Sequence, residues 1–351
     1  MDAVALEARA RELLDRAAFE YYAGGADDEV TLRDNVEAWH RARLMPRVLR
    51  DVTSVSPATE LLGSQLAAPL LIAPMAFQRM AHPDGEIAMA HAAAAAGIPM
   101  VVSTMSTTTL EDIASAVPDG VRWFQFYVHK DRGLSERLVQ RAVASGCSAV
   151  VLTLDVPVVG RRRRDEVNRF GLPDHLTVAN LEESLESAGG SALSEYSDHA
   201  FEQALTPSLL EWIAGLTDLP LLVKGVLHPD DAVAAVDAGA AGVIVSNHGG
   251  RQLDGAIATA DALAPIADAI GHRVPVLVDG GLRGGSDILK ALALGADAVL
   301  IGRPALWGLT IGGADGAEGV MRELIEELVR AMTLCGVASP GEIDRSLIAT
   351  P

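Results

Sequence analysis

The chain has 351 residues, 49% hydrophobic and 21% charged, which is enough material for one large core. Its formal net charge of −19 repels nucleic acid and anionic membrane surfaces and excludes a binding role on polyanions. No apolar run is long enough to span a bilayer and the charged N-terminus lacks a signal-peptide core, so a soluble cytoplasmic protein is expected, without nucleic-acid or membrane partners. Cys147 and Cys335 lie far apart, form no metal pattern and read as two free thiols in a reducing compartment.

In chain order, residues 2–22 have the spacing of an amphipathic helix, stopped by Gly24 and Gly25. Residues 26–68 are mixed, with short β signals, and 1–68 together read as a helical cap. From Pro69 a regular pattern sets in. Short runs rich in Val, Ile and Leu recur at 69–75, 99–104, 122–128, 149–155, 219–226, 242–248, 274–280 and 298–303. Helical segments such as 85–97 and 284–296 separate them. Strand–helix alternation implies a parallel sheet covered by helices. Eight such units predict an α/β fold, the (β/α)8 TIM barrel. Its core is expected over 69–310, with C-terminal helices over 311–351, in a single domain spanning 1–351. A doubly wound sheet is the runner-up, but the Gly-rich turn it needs after an early strand is missing.

The connection between the fourth and fifth runs, 156–218, is far longer than an ordinary strand-to-helix loop. Its start, GRRRRDEVNRF (160–170), is strongly basic in an acidic chain. It is either a solvated charge run or part of a lid whose arginines hold an anion. Its departure from the C-terminal end of a strand favours the lid. The stretch 188–199 is Gly/Ser-rich and is expected to be mobile.

Barrel chemistry collects at the C-terminal ends of strands. Those ends read Met75–Ala76, Ser103–Thr104, Gln125 with Tyr127, Thr153 with Asp155, and Lys224. Then come Ser246 with His248, Asp279 with Gly280 and Gly281, and Gly302 with Arg303. A lone Ser or Thr in such a place is more often a turn residue; the coincidence around one rim carries the weight. VDGGLRGGSDILK joins a strand to a helix through four glycines and Arg283, and IGRP adds a second glycine turn. Glycines let backbone N–H groups approach an anion, and a helix N-terminus adds its positive end. A phosphate-bearing cofactor or substrate is therefore expected there, with Arg283 and Arg303 as charged partners; two glycine turns with surface arginines are the plainer alternative.

Ser103, Gln125, Thr153 and Lys224 suit the polar edge of a flat heterocycle, and a lysine beside it suits a reduced flavin. For Lys224 a structural ion pair with Asp279 is the alternative. His248 is placed to take a proton near neutral pH, Asp155 is a candidate to fix its tautomer, and Arg251 offers a planar fork to a carboxylate. A single His in a glycine turn is usually structural, but its company on this rim favours catalysis.

SNHGGRQLDG, VDGGLRGGSDILKALALGA and LIGRP resemble the FMN-dependent α-hydroxy acid oxidase and dehydrogenase family. The likeness runs from FEYYAGGADDEVTL through IAPMAFQRMAHPDGE, FQFYVHKDR and LTLDVPVVGRRRRDEVNRF to the C-terminus. It implies FMN as cofactor and oxidation of an L (S) 2-hydroxy acid to the 2-keto acid. It implies His248 as the base that removes the hydroxyl or α-proton as a hydride equivalent passes to the flavin, with Asp155 as its pair. Arg162 and Arg251 would hold the substrate carboxylate, and Tyr21 and Tyr127 would touch the substrate. Pro74, Met75, Ala76, Ser103, Gln125, Thr153, Lys224 and Ser246 would surround the isoalloxazine and ribityl groups. Asp279, Gly280, Gly281, Arg283, Gly302 and Arg303 would hold the ribityl chain and phosphate.

Two departures bear on substrate. Met105 and Val159 stand where plant-type glycolate oxidases carry Trp and Leu, so the pocket is expected to be wider and to favour lactate or longer aliphatic or aromatic 2-hydroxy acids. Ala76 near the flavin, no preceding haem domain and no apolar anchor in the long connection favour a soluble oxidase that uses O2 and releases H2O2. A quinone-dependent dehydrogenase and a decarboxylating enzyme resembling lactate 2-monooxygenase are the alternatives. A non-redox FMN isomerase and a binding barrel without activity are more distant ones. Family members are often tetramers, so a homotetramer is expected.

Overall fold

The computed structural model describes residues 2–181 and 200–349. The 188–199 stretch expected to be mobile lies outside the described residues. The first two strands, β1 (Thr59–Leu61) and β2 (Ser64–Leu66), form an antiparallel hairpin. The next eight are β3 (Leu70–Ile72), β4 (Met100–Ser103), β5 (Arg122–Phe126), β6 (Ala149–Thr153), β7 (Leu221–Val226), β8 (Gly242–Val245), β9 (Val276–Val278) and β10 (Ala298–Ile301). They are all parallel and close into a barrel, β10 pairing with β3. The barrel expectation is borne out, and closure rules out the doubly wound alternative.

Period-two alternation divides the strands between two cores. Leu71, Val101, Trp123, Val151, Leu222, Ile244, Leu277 and Leu300 fill the barrel, joined by Leu61 and Leu66 of the hairpin. Ile72, Val102, Phe124, Val150, Val223, Val243, Val278 and Val299 pack outward with the helices. Each strand is thus buried on both faces, which is why it reads as a continuous apolar run. Full burial of one such side chain contributes about 1.5–3 kcal/mol.

The N-terminal region differs from the expectation in two ways. The helix expected over 2–22 is two, Ala3–Leu13 and Arg16–Ala23, because Asp2 and Asp15 each cap one with a side-chain oxygen. A third helix, Val30–Arg41, follows. Its buried face is Thr31, Asn35, Ala38 and Trp39, and the two polar members hide the apolar stripe. The last helix, Arg303–Cys335, is kinked at Gly312 and Gly313 and packs against the helices Gly85–Ala95 and Gly285–Ala293. Among the described residues no helix is long and apolar enough to cross a membrane.

Candidate active site

The C-terminal ends of the barrel strands open onto one cavity of about 990 Å3. Every site residue expected from the sequence lines it except Asp155 and Ser246. Both of these sit one step behind, holding a residue that does.

After β8 the chain turns through His248, Gly249 and Gly250 with φ of 59°, 65° and 77°. A non-glycine residue in this region carries strain of about 1–3 kcal/mol, so the histidine is held there by its surroundings. Its N–H donates to Ser246 Oγ at 3.0 Å, and its Nδ1 lies 3.0 Å from Asp155 Oδ1. Burial pushes the imidazole below its ordinary pKa, helped by the charges of Lys224 and Arg162; Asp155 opposes the shift without overturning it. Burial pushes the Asp155 carboxyl up, but its pairing with His248 and the nearby Lys224 outweigh that and hold it low. The pair is therefore a neutral imidazole donating Nδ1–H to a carboxylate, which leaves the Nε2 lone pair for the cavity.

Asp155 fits because of a residue the sequence gave no reason to notice. Gly225 has φ 102° at a shift of register between β7 and β8. A Cβ there would lie 2.6 Å from Asp155 Cβ and Cγ.

Lys224 Nζ is 3.1 Å from Asp279 Oδ2 and donates to Ser246 Oγ at 2.8 Å. The ion pair held in reserve as a structural explanation exists, yet the lysine still faces the cavity. Burial lowers its proton affinity, but Asp279 and Asp155 more than compensate, so it stays charged. Ser246 does not line the cavity as expected; it joins Lys224 to the His248 turn. On the neighbouring strands Ser103 Oγ donates to Gln125 Oε1 at 3.1 Å, and Gln125 Nε2 donates to Thr153 Oγ1 at 2.9 Å. Met75 and Ala76 close the opposite wall.

At the glycine-rich end the structure gives some of the glycines a packing role. A Cβ on Gly281 would lie 2.0 Å from Asn35 O, and one on Gly285 would lie 2.1 Å from Leu328 N. These two glycines admit the close approach of the helices Val30–Arg41 and Arg303–Cys335, and Gly281 also lines the cavity. The N–H of Gly285 is capped by Glu327 Oε2 at 2.9 Å, so that helix end is occupied. The helix starting at Arg303 has no side-chain cap and begins on the cavity wall. A Cβ on Gly302 would meet protein only at 3.6 Å, from Met75 Sδ, leaving the backbone open to a ligand. The helix end left open to a ligand is thus the one after β10, where a helix N-terminus suits an anion.

Arg283 lines this end, its guanidinium donating to Leu282 O at 2.9 Å. Arg303 also lines this end of the cavity. Its guanidinium donates to the carbonyls of Tyr22, Gly24 and Gly249 at 2.9, 2.9 and 3.1 Å, bracing the N-terminal segment against the His248 turn. Burial, then the charges of Arg251 and Arg283, push it down to about 9.

At the other end Arg251 donates to Tyr21 O and Gly24 O at 2.5 and 2.9 Å and lies 4.9 Å over the Tyr21 ring. Burial and repulsion from Arg162 push it down to about 10. The basic run resolves into both of its readings. Arg161 pairs with Glu166 at 2.9 Å, Arg164 with Glu29 at 2.6 Å, and Arg163 with Asp28. Arg162 alone turns its Nε inward, buried and without a hydrogen-bond partner among the described residues. Tyr21 stacks on Phe170 at 4.3 Å and Tyr127 on Phe201 at 4.7 Å. Burial raises the Tyr127 phenol, which stays protonated. Met105 and Val159 lie on the wall as expected, with Phe170, Leu172, Leu176, Val178 and Phe201, which sequence reasoning missed.

This set fits a flat cofactor with a phosphate tail. Asp279 Oδ1 is buried without a partner among the described residues, on the cavity wall where hydroxyl groups would meet it. The uncapped helix start and Arg283 offer an anion site, and Ser103, Gln125, Thr153 and Lys224 offer a polar edge.

A family model described as FMN-dependent dehydrogenase matches residues 10–350. The chain is 49% identical over 350 residues to an L-lactate oxidase of Nostoc sp., covering 97% of this chain and 96% of that one. It is 46% identical to glycolate oxidase 1 of Zea mays, covering 98% and 94%. The crystal structure of a mandelate oxidase superposes with a TM-score of 0.92 at 43% identity, over 99% of this chain and 98% of that one.

Proposed function

The chain belongs to the FMN-dependent dehydrogenase family, and from that premise we propose that it oxidises an L-2-hydroxy acid to the 2-keto acid with O2 as electron acceptor and H2O2 as by-product. The observation that carries this reading is His248, backed by Asp155, on the same cavity as two guanidiniums, Arg251 and Arg162. FMN, when bound, supplies the two-electron acceptor. It would be held by Pro74, Met75, Ala76, Ser103, Gln125, Thr153 and Lys224 at the ring, by Asp279, Gly280 and Gly281 along the chain, and by Arg283, Gly302 and Arg303 at the phosphate, with Ser246 behind Lys224 and the His248 turn.

The protein's own part is binding, orientation and proton handling. Arg251 and Arg162 hold the substrate carboxylate, and Tyr21 and Tyr127 pack beside it, fixing which face and which hydroxyl meet Nε2 of His248. Nε2 takes the substrate proton, and Asp155 stabilises the imidazolium that results. Lys224 would place a positive charge beside the ring of bound FMN, which would favour its reduced state.

Met105, Val159 and the apolar residues of the long connection support a pocket wider than glycolate requires, suited to lactate or to longer aliphatic or aromatic 2-hydroxy acids. We also place the enzyme in the cytoplasm, which suits its two free buried cysteines, and as a homotetramer, for which the exposed Val48, Leu49 and Leu334 offer apolar contact surface. The experiment is aerobic turnover of a panel of 2-hydroxy acids with product analysis. Keto acid and H2O2 in equal amounts are expected. Slow turnover with O2 and fast turnover with a quinone would reverse the acceptor, and a decarboxylated acid would make it a monooxygenase.

A further inference from the structure

Gln252 lies four residues beyond His248, and it does not line the cavity. Its amide is nevertheless fully engaged, and with one segment only. Nε2 donates to Asp155 O at 2.7 Å and to Val158 O at 2.9 Å, and Oε1 accepts from Gly160 N at 3.0 Å. Gly160 presses against the same turn: a Cβ there would lie 2.5 Å from Arg251 O and 2.6 Å from Gln252 O. Two backbones far apart in sequence are therefore in direct contact, fastened by one side chain.

From this geometry we infer that Gln252 is a positioning residue for the carboxylate clamp, fixing the arm from Asp155 to Arg162 against the turn that carries Arg251. The inference rests on the functional reading above, in which Arg162 and Arg251 share the substrate carboxylate. Arg162 and Arg251 are part-buried on one cavity and repel each other; Asp165, 4.0 Å from Arg162 Nη1, offsets this only in part, so the arm that brings Arg162 inward gains from a fastening of its own. An amide is suited to the task because it offers two donors and one acceptor, matching two carbonyls and one N–H. Glutamate has the same shape but would set carboxylate oxygens against the two carbonyls. Methionine keeps the length and makes none of the three bonds. Gln252 also holds the Asp155 carbonyl, but the His248–Asp155 contact keeps separate supports, the space at Gly225 and the Ser246 bond, so the inference places the main effect of loosening the arm at Arg162.

The test uses FMN-loaded Q252E and Q252M beside the wild type. Propanoate, which carries the carboxylate without the 2-hydroxyl, is titrated by the change it makes in the flavin spectrum, and KM and kcat are measured with L-lactate. The expected result is a rise of about tenfold or more in both the propanoate Kd and the lactate KM for both variants, with kcat changed by less than about threefold and FMN retained. A fall in kcat at unchanged Kd would place Gln252 with the base instead and overturn the inference. Unchanged constants would overturn it too, as would loss of FMN or of folding in both variants, which would make Gln252 part of the scaffold. If no 2-hydroxy acid reduces the wild-type flavin, the functional reading fails on its own, while the propanoate titration still reads the clamp.

Discussion

At the scale of single residues, the centre of the site is a neutral base made from a buried histidine. His248→Ala, with FMN retained, is expected to slow substrate-driven flavin reduction by a factor of about 100 to 10,000, the usual contribution of a general base. The pH dependence follows from the direction of the shift. Burial depresses the imidazole pKa, so the active neutral form persists as pH falls past the ordinary histidine value of about 6.5. Flavin reduction should therefore hold near neutral pH and fall only on a more acidic limb; a midpoint above that value would contradict the assignment. Arg251→Lys keeps the charge but loses the planar fork that also ties Tyr21 O and Gly24 O, so KM should rise by about tenfold or more in steady-state assays. His248 and Arg251 were legible in the sequence because each follows an apolar run at a strand end. Gln252 and Gly225 were not, since their meaning lies in what they touch across the barrel.

At the scale of elements, the turn after β8 is a hub whose successive residues each hold a different part of the protein. Asn247 exchanges two amide bonds of 2.8 Å with Asn35 of the helix Val30–Arg41, and Asp254 accepts from the backbone of Asp28 and Thr31. A turn motif of this density looks like pure active site in sequence, yet much of it is mounting. The same lesson applies to the glycine-rich turn after β9. Its glycines were legible as a close approach, and at Gly281 one approaching partner is a helix the sequence did not point to. Gly281→Ala places a methyl group 2.0 Å from Asn35 O and should destabilise the fold by about 1–3 kcal/mol or more, seen as a lower Tm in thermal unfolding with and without FMN. An unchanged Tm would mean that the helix Val30–Arg41 yields easily. That helix was itself illegible, because two of its buried residues, Thr31 and Asn35, are polar.

At the scale of the whole molecule, eight apolar runs sufficed to give the barrel, because a strand buried on both faces needs no subtler signal. The excursion between β6 and β7 has no such periodicity, and the wall residues it supplies, Phe170, Leu172, Leu176, Val178 and Phe201, could not be read in advance. That wall sets the substrate expectation. Met105→Trp fills space at its edge and should shift the ratio of kcat/KM toward glycolate and away from bulkier acids by about tenfold. No shift would mean that residue 105 does not bound the substrate. The central claim is that this cavity oxidises a 2-hydroxy acid through His248. It is tested most directly by mixing the FMN-loaded protein anaerobically with paired L- and D-2-hydroxy acids and following the flavin absorbance. Rapid bleaching by the L acids, abolished in His248→Ala, is the result the account predicts; a flavin that no 2-hydroxy acid bleaches, or one bleached equally well without His248, would contradict it.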